Sequence, residues 1–123
     1  MFRLCCNCNR CRHCCNEQYY NRSMENDDVT MEQLMQMANT GALIIDIRSP
    51  QEYNEGHING SIVLPDYEIR RNANKIIPNK KQLIIVYCGT GIRSKKAQRL
   101  LQRMGYTNVY NLYKGTENYW DFF

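Results

Sequence analysis

The 123-residue chain reads as a three-layer α/β domain: an open, mostly parallel sheet with helices on both faces. Two observations predict this. The runs Leu43-Ile44-Ile45 and Leu83-Ile84-Ile85-Val86-Tyr87 are apolar throughout and bounded by turn residues, as strands buried on both faces are. The segments around them carry apolar residues at helical spacing, so strands and helices alternate, the pattern of a parallel sheet covered on both sides. The length suits one domain and is short for two.

Taken in order, residues 1–27 form a Cys-rich arm and a polar linker, and residues 28–123 the domain. Thr30-Met31-Glu32-Gln33 is a capping box, with Thr30 capping and Gln33 reaching back. Met31, Leu34, Met35 and Ala38 give that helix its core face, and Gly41 ends it. The Leu43–Ile45 strand ends at Asp46. Ser61–Leu64 is a short strand stopped by Pro65, and Asp66–Lys75 a helix with Ile69 and Ala73 inward and Ile76-Ile77 near its end. Pro78-Asn79-Lys80-Lys81 turns into the central strand. Ala97, Leu100, Leu101 and Met104 share one face of the following helix, and Gly105 sits where a C-cap belongs. Asn108–Tyr110 is the last strand, and Gly115–Trp120 a short helix that packs Trp120 on the sheet.

Cys88 closes the central run and opens the loop Cys88-Gly89-Thr90-Gly91-Ile92-Arg93-Ser94. A thiol is thereby placed at the carboxyl end of a parallel strand, where a helix begins. The first turn of a helix leaves amide N–H groups unpaired and carries the positive end of the dipole. Such surroundings favour the thiolate, which is the nucleophile. Gly89 and Gly91 let the backbone curl into a nest of inward N–H groups, and Arg93 adds a guanidinium suited to oxyanions. The loop therefore supplies a nucleophile, Cys88, and a cradle for an anionic substrate or adduct in Gly89, Thr90, Gly91, Ile92, Arg93 and Ser94. By the carboxyl-end rule Asp46 lies on the same edge. It is either a loop-orienting acceptor or a helix cap, and not a base, since a carboxylate beside a thiolate opposes its ionisation. His57 reads as an acid–base group or, with more weight, as a turn-shaping residue bonded to backbone.

Cys88-x-x-Gly91-x-Arg93-Ser94 resembles the active-site loop of the rhodanese-like sulfurtransferases. Asp46-Ile47-Arg48, Glu52-Tyr53 and Gly56-His57-Ile58-Asn59-Gly60-Ser61 are similar to the upstream signature of that family, and Leu112-Tyr113-Lys114-Gly115 to its closing element, with Lys114-Gly115 in place of paired glycines. The resemblance covers about residues 28–123. It implies a sheet of about five strands and a bracing role for Asp46 and Arg48. It also implies transfer of a sulfane sulfur from thiosulfate or polysulfide, through a persulfide on Cys88, to a thiophilic acceptor that is a small thiol or an acceptor protein, with no cofactor required. The C-x4-R loop is one residue shorter than the C-x5-R loop of cysteine-dependent phosphatases, and the smaller cradle favours sulfur over phosphate. The alternatives are a phosphatase or arsenate reductase of the same fold, and a non-enzymatic sulfur carrier or metal-binding protein.

The chain has 16 basic and 12 acidic residues, a net charge of +4. Arg3, Arg10, Arg12 and Arg22 against Glu17 put most of it in the arm, so a nucleic-acid surface is not expected. No stretch approaches a membrane span and no signal peptide is visible, so a cytoplasmic protein is expected. The arm holds Cys5, Cys6, Cys8, Cys11, Cys14, Cys15 and His13. Cys5, Cys8, Cys11 and Cys15 match C-x2-C-x2-C-x3-C, a spacing suited to zinc or an iron–sulfur cluster. A flexible thiol arm that carries persulfides or forms disulfides is the favoured alternative, and palmitoylation of adjacent cysteines a further one.

Overall fold

The computed structural model describes residues 23–117 and 119. The elements run β1 (Asp28–Val29), α1 (Met31–Asn39), β2 (Leu43–Asp46), α2 (Pro50–Glu55), β3 (Ile62–Val63), a 3-10 turn (Asp66–Glu68), α3 (Ile69–Ile76), β4 (Ile84–Tyr87), α4 (Ile92–Arg103) and β5 (Val109–Leu112). The five strands form one sheet in the order β1-β5-β4-β2-β3, every neighbouring pair parallel.

β4 lies at the centre and is buried along its whole length, as its unbroken apolar run predicts. Successive side chains of a strand face opposite sides. Ile84 and Val86 therefore join one core with Ile69 and Ala73 of α3 and Ala97 and Leu101 of α4. Ile85 and Tyr87 join the other with Met31 and Leu34 of α1. Three layers result, and Cys88 continues the α3/α4 side.

The Thr30–Gln33 capping box is present, both of its reciprocal bonds made. A second box, Ser49 with Glu52, starts α2, with Pro50 in the first turn, where its missing N–H costs nothing.

The structure departs from the sequence-based expectations at several places. α2 was not anticipated, and Asp66–Glu68 form a 3-10 turn and not the start of the α-helix. Met35 is 44% exposed, because the inward stripe of α1 runs through Met31 and Leu34 towards Met37 and Ala38. β1 was not anticipated: two residues, Asp28 and Val29, pair with Asn111 and Leu112 at the sheet edge, too short for any periodic signal. Gly115–Glu117, expected to open a helix, form a bend and a turn, and Trp120 lies outside the described residues.

Candidate active site

β4 delivers Cys88 to the carboxyl edge of the sheet. Gly91, at φ +88°, reverses the chain into α4. No side chain of Gly91 can cap that helix, and Cys88 takes the role. Its Sγ accepts from the amide of Gly91 at 3.1 Å and from that of Ser94, the third residue of the helix, at 3.4 Å. The Ser94 amide is one that an N-cap oxygen would otherwise satisfy. Ile92 donates its amide to Thr90 Oγ1 at 3.4 Å instead. Cys88 is only 1% exposed, so the sulfur sits on the floor of the loop and not at its rim.

A strap formed by residues 113–117 closes over this loop. The amides of Thr116 and Glu117 donate to the carbonyls of Cys88 and Gly89 at 3.0 and 2.9 Å. A Cβ on Gly115 would lie 2.3 Å from the Gly89 carbonyl oxygen, so only glycine allows this approach. The preceding residue, Lys114, holds φ +62° with a full side chain, in the left-handed region where paired glycines would rest without strain.

Ser94 links the thiol to a buried polar chain that sequence reasoning missed. The Cys88 thiol donates to Ser94 Oγ at 3.5 Å, and Ser94 Oγ donates to Asn111 Oδ1. Asn111 Nδ2 donates to Asp28 Oδ1 at 3.1 Å, and Asp28 meets the Lys95 ammonium at 3.2 Å. Lys95 is 1% exposed and also contacts Asp27 at 2.9 Å and Glu25 at 3.0 Å. Burial opposes its charge, but bonds to Asp27, Glu25 and Asp28 outweigh that and raise its pKa. The three carboxylates converge as a cation site would, and the lysine fills it. The available signal was Asn111, a polar residue between apolar neighbours in a strand with no solvent face.

Asp46 and Arg48 brace the other side. Asp46, fully buried, receives Arg48 Nε at 3.0 and 3.2 Å, Nη2 at 2.7 Å and the Arg48 amide at 2.9 Å. Arg48 Nη2 also donates to the Gly56 carbonyl at 2.6 Å. Tyr87, the residue before Cys88, donates its hydroxyl to Asp46 Oδ2 at 2.8 Å and accepts from the Ile58 amide at 3.0 Å. Burial, aided by Asp46, pushes the Tyr87 phenol up to about 12. The end of β4 is thus fixed to the 47–61 loop by bonded, occupied groups.

Arg93 lies at the rim, its side chain 45% exposed. Its Nε contacts Asp66 Oδ2 at 3.2 Å and its Nη1 lies 3.8 Å from Glu52. The Asp66 bond chiefly raises its pKa. His57 stacks on Tyr53, ring centroids 3.7 Å apart, and its Nδ1 donates to the Tyr53 carbonyl at 2.7 Å. That is the turn-shaping arrangement. Cys5, Cys8, Cys11 and Cys15 lie outside the described residues.

Comparison with known proteins identifies relatives of the chain. The sequence is 34% identical over 92 residues to the thiosulfate sulfurtransferase GlpE of Pseudomonas entomophila, covering 72% of this chain and 80% of that one. It is 37% identical over 67 residues to the thiosulfate sulfurtransferase PspE of Escherichia coli, covering 54% of this chain and 64% of PspE. It matches a tRNA uridine(34) hydroxylase of Photorhabdus laumondii at 31% over 108 residues, 84% of this chain but 31% of the enzyme. The chain thus spans less than two thirds of several curated relatives. Among solved structures, a rhodanese with anions from E. coli superposes with TM-score 0.57 at 32% identity, over 63% of this chain and 89% of that one. The human single-domain sulfurtransferase TSTD1 gives TM-score 0.67 at 22% identity, over 79% and 97%, a likeness of fold. The family described as "Rhodanese-like domain" matches residues 30–121, Cys88 loop included, and the chain belongs to that family.

Proposed function

We propose that the chain is a sulfurtransferase that moves a sulfane sulfur from thiosulfate or a polysulfide to a thiophilic acceptor through a persulfide on Cys88. The observation that carries this reading is the pair of amides, Gly91 and Ser94, aimed at Cys88 Sγ at the start of α4. Donors in that position stabilise charge on sulfur without reorganising during the reaction.

In the first half-reaction the Cys88 thiolate attacks the outer sulfur of thiosulfate. The donor's S–S bond breaks, sulfite leaves with its electron pair, and Cys88 carries the persulfide. In the second, an acceptor thiolate or cyanide attacks the outer persulfide sulfur and Cys88 leaves as thiolate. The cycle is redox-neutral, follows ping-pong kinetics and needs no cofactor. Arg93, held at the rim by Asp66, meets the sulfonate end of thiosulfate in this scheme. The short C-x4-R loop weighs against a phosphate substrate.

Turnover of thiosulfate with cyanide tests the reading. Cys88→Ser abolishes thiocyanate formation if it is right, and undiminished turnover in that variant would remove Cys88 as the nucleophile.

A further inference from the structure

The modest net charge hides a segregation. Between Ile69 and Met104 stand ten basic residues and no acidic one. α3 and α4 lie on the same face of the sheet, their inner residues in one core. Arg70, Arg71 and Lys75 on α3 and Lys96, Arg99 and Arg103 on α4 are exposed. Among the described residues none of these six pairs with a carboxylate.

Beside them, where the 3-10 turn and α3 meet α4, lies a groove of about 360 Å³. Its walls are apolar, from Tyr67, Ile69, Ala97 and Leu100, and Arg93 and Lys96 stand at its rim. Tyr67 is 65% exposed. Arg93 belongs both to this groove and to the loop that begins at Cys88, so the groove adjoins the thiol's own loop.

We propose that the groove and its basic flanks dock an acidic acceptor protein, which seats an apolar side chain against Tyr67 and Leu100 and presents a cysteine to the Cys88 persulfide. The proposal rests on the sulfurtransferase reading and names its acceptor. Unpaired surface cations beside an apolar slot match a partner with carboxylates around an apolar anchor, and they speed encounter. A nucleic acid fits less well, because the slot between the cations is apolar and suits an aliphatic anchor and not a phosphate backbone. The acceptor thiolate attacks the outer sulfur, a new S–S bond forms, and the Cys88 S–S bond breaks with its electrons returning to Cys88. No oxidant or reductant enters.

Two labelled peptides of equal length test this on the full chain. One carries a single cysteine among leucine and glutamate, and the other has glutamine for every glutamate. Binding is read by fluorescence anisotropy, and sulfur transfer by loss of the Cys88 persulfide in mass spectra. The glutamate peptide should bind and accept sulfur roughly tenfold better at low salt. The advantage should vanish in Lys96→Glu/Arg99→Glu and shrink in Tyr67→Ser, while turnover to cyanide stays at the wild-type rate in both variants, which also shows that they fold. Equal behaviour of the two peptides, or an advantage that survives the charge reversal, would overturn the proposal. So would an RNA oligonucleotide that binds this face while the glutamate peptide does not. If thiosulfate yields neither a Cys88 persulfide nor, with cyanide added, thiocyanate, the sulfurtransferase reading fails, and the anisotropy arm still decides the docking.

Discussion

Ser94 approaches Cys88 from both ends of its own structure: its amide donates to Sγ at 3.4 Å, and its hydroxyl accepts from the thiol at 3.5 Å while donating to Asn111. Asn111 is itself committed to Asp28 at 3.1 Å, and Asp28 to Lys95. Asn111→Ala leaves the buried Ser94 hydroxyl without its acceptor and takes one of several donors from Asp28. An unsatisfied buried group costs about 1–3 kcal/mol. Urea denaturation should show a loss in that range, and Ser94→Ala, which keeps the amide donor, should lose less turnover than Asn111→Ala. A neutral Asn111→Ala would mean that the chain contributes nothing.

Alkaline pH probes the brace. The Tyr87 phenol is pushed up to about 12 by burial and by Asp46, from an ordinary value near 10. In the unfolded chain it loses its proton first, so the native state binds more protons between those values and stability falls as pH rises. Tyr87→Phe removes that part of the alkaline slope and leaves Asp46 and the Ile58 amide each short of a partner. The variant should be less stable at pH 7 and shed stability less steeply above pH 10 in thermal scans. An unchanged slope would contradict the buried, bonded phenol.

The strap residues should respond in opposite directions. Gly115→Ala forces a Cβ against the Gly89 carbonyl at φ +70° and should lower both stability and turnover. Lys114→Gly releases a residue held at φ +62°, a conformation that costs an L-residue about 1–2 kcal/mol. Greater chain entropy in the unfolded state offsets part of that gain, so thermal unfolding should rise by a few degrees or less. A clear fall would show that the lysine side chain contributes more than the backbone strain costs.

Asp66→Asn bears on Arg93. With its main partner neutralised, the guanidinium is free to meet an incoming sulfonate. Exposed pairs of this kind are worth up to about 1 kcal/mol, so KM for thiosulfate should fall by up to roughly fivefold with kcat little changed. Arg93→Ala should harm thiosulfate more than polysulfide, which brings no sulfonate. Equal effects on both donors would exclude the role.

Local chemistry made most of the fold legible. The Cys88 loop, both apolar runs and the Thr30 cap are short-range patterns, and each appears where its residues place it. The bracing role of Asp46 and Arg48 came from motif resemblance, and the structure shows why the pair works: positions two apart at a strand end let one guanidinium grip one carboxylate. What stayed hidden depends on topology. Asp28 meets Lys95 and Asn111 only because β1 docks on β5 at the sheet edge. Arg93 was expected as an oxyanion-binding guanidinium, and its carboxylate partners, unseen in the sequence, come from segments 27 and 41 residues upstream. Lys95 and Gln98, polar residues on a helix, are buried because α4 covers the β5–β1 edge as well as the centre.

The most direct measurement is peptide mapping by mass spectrometry after anaerobic treatment of the full chain with one equivalent of thiosulfate. The account predicts a gain of one sulfur atom on the peptide containing Cys88, with release of sulfite, and its loss on addition of cyanide. A sulfur found on the arm cysteines of the Cys88→Ser variant as readily as in the native protein, or no gain at Cys88 at all, would contradict it.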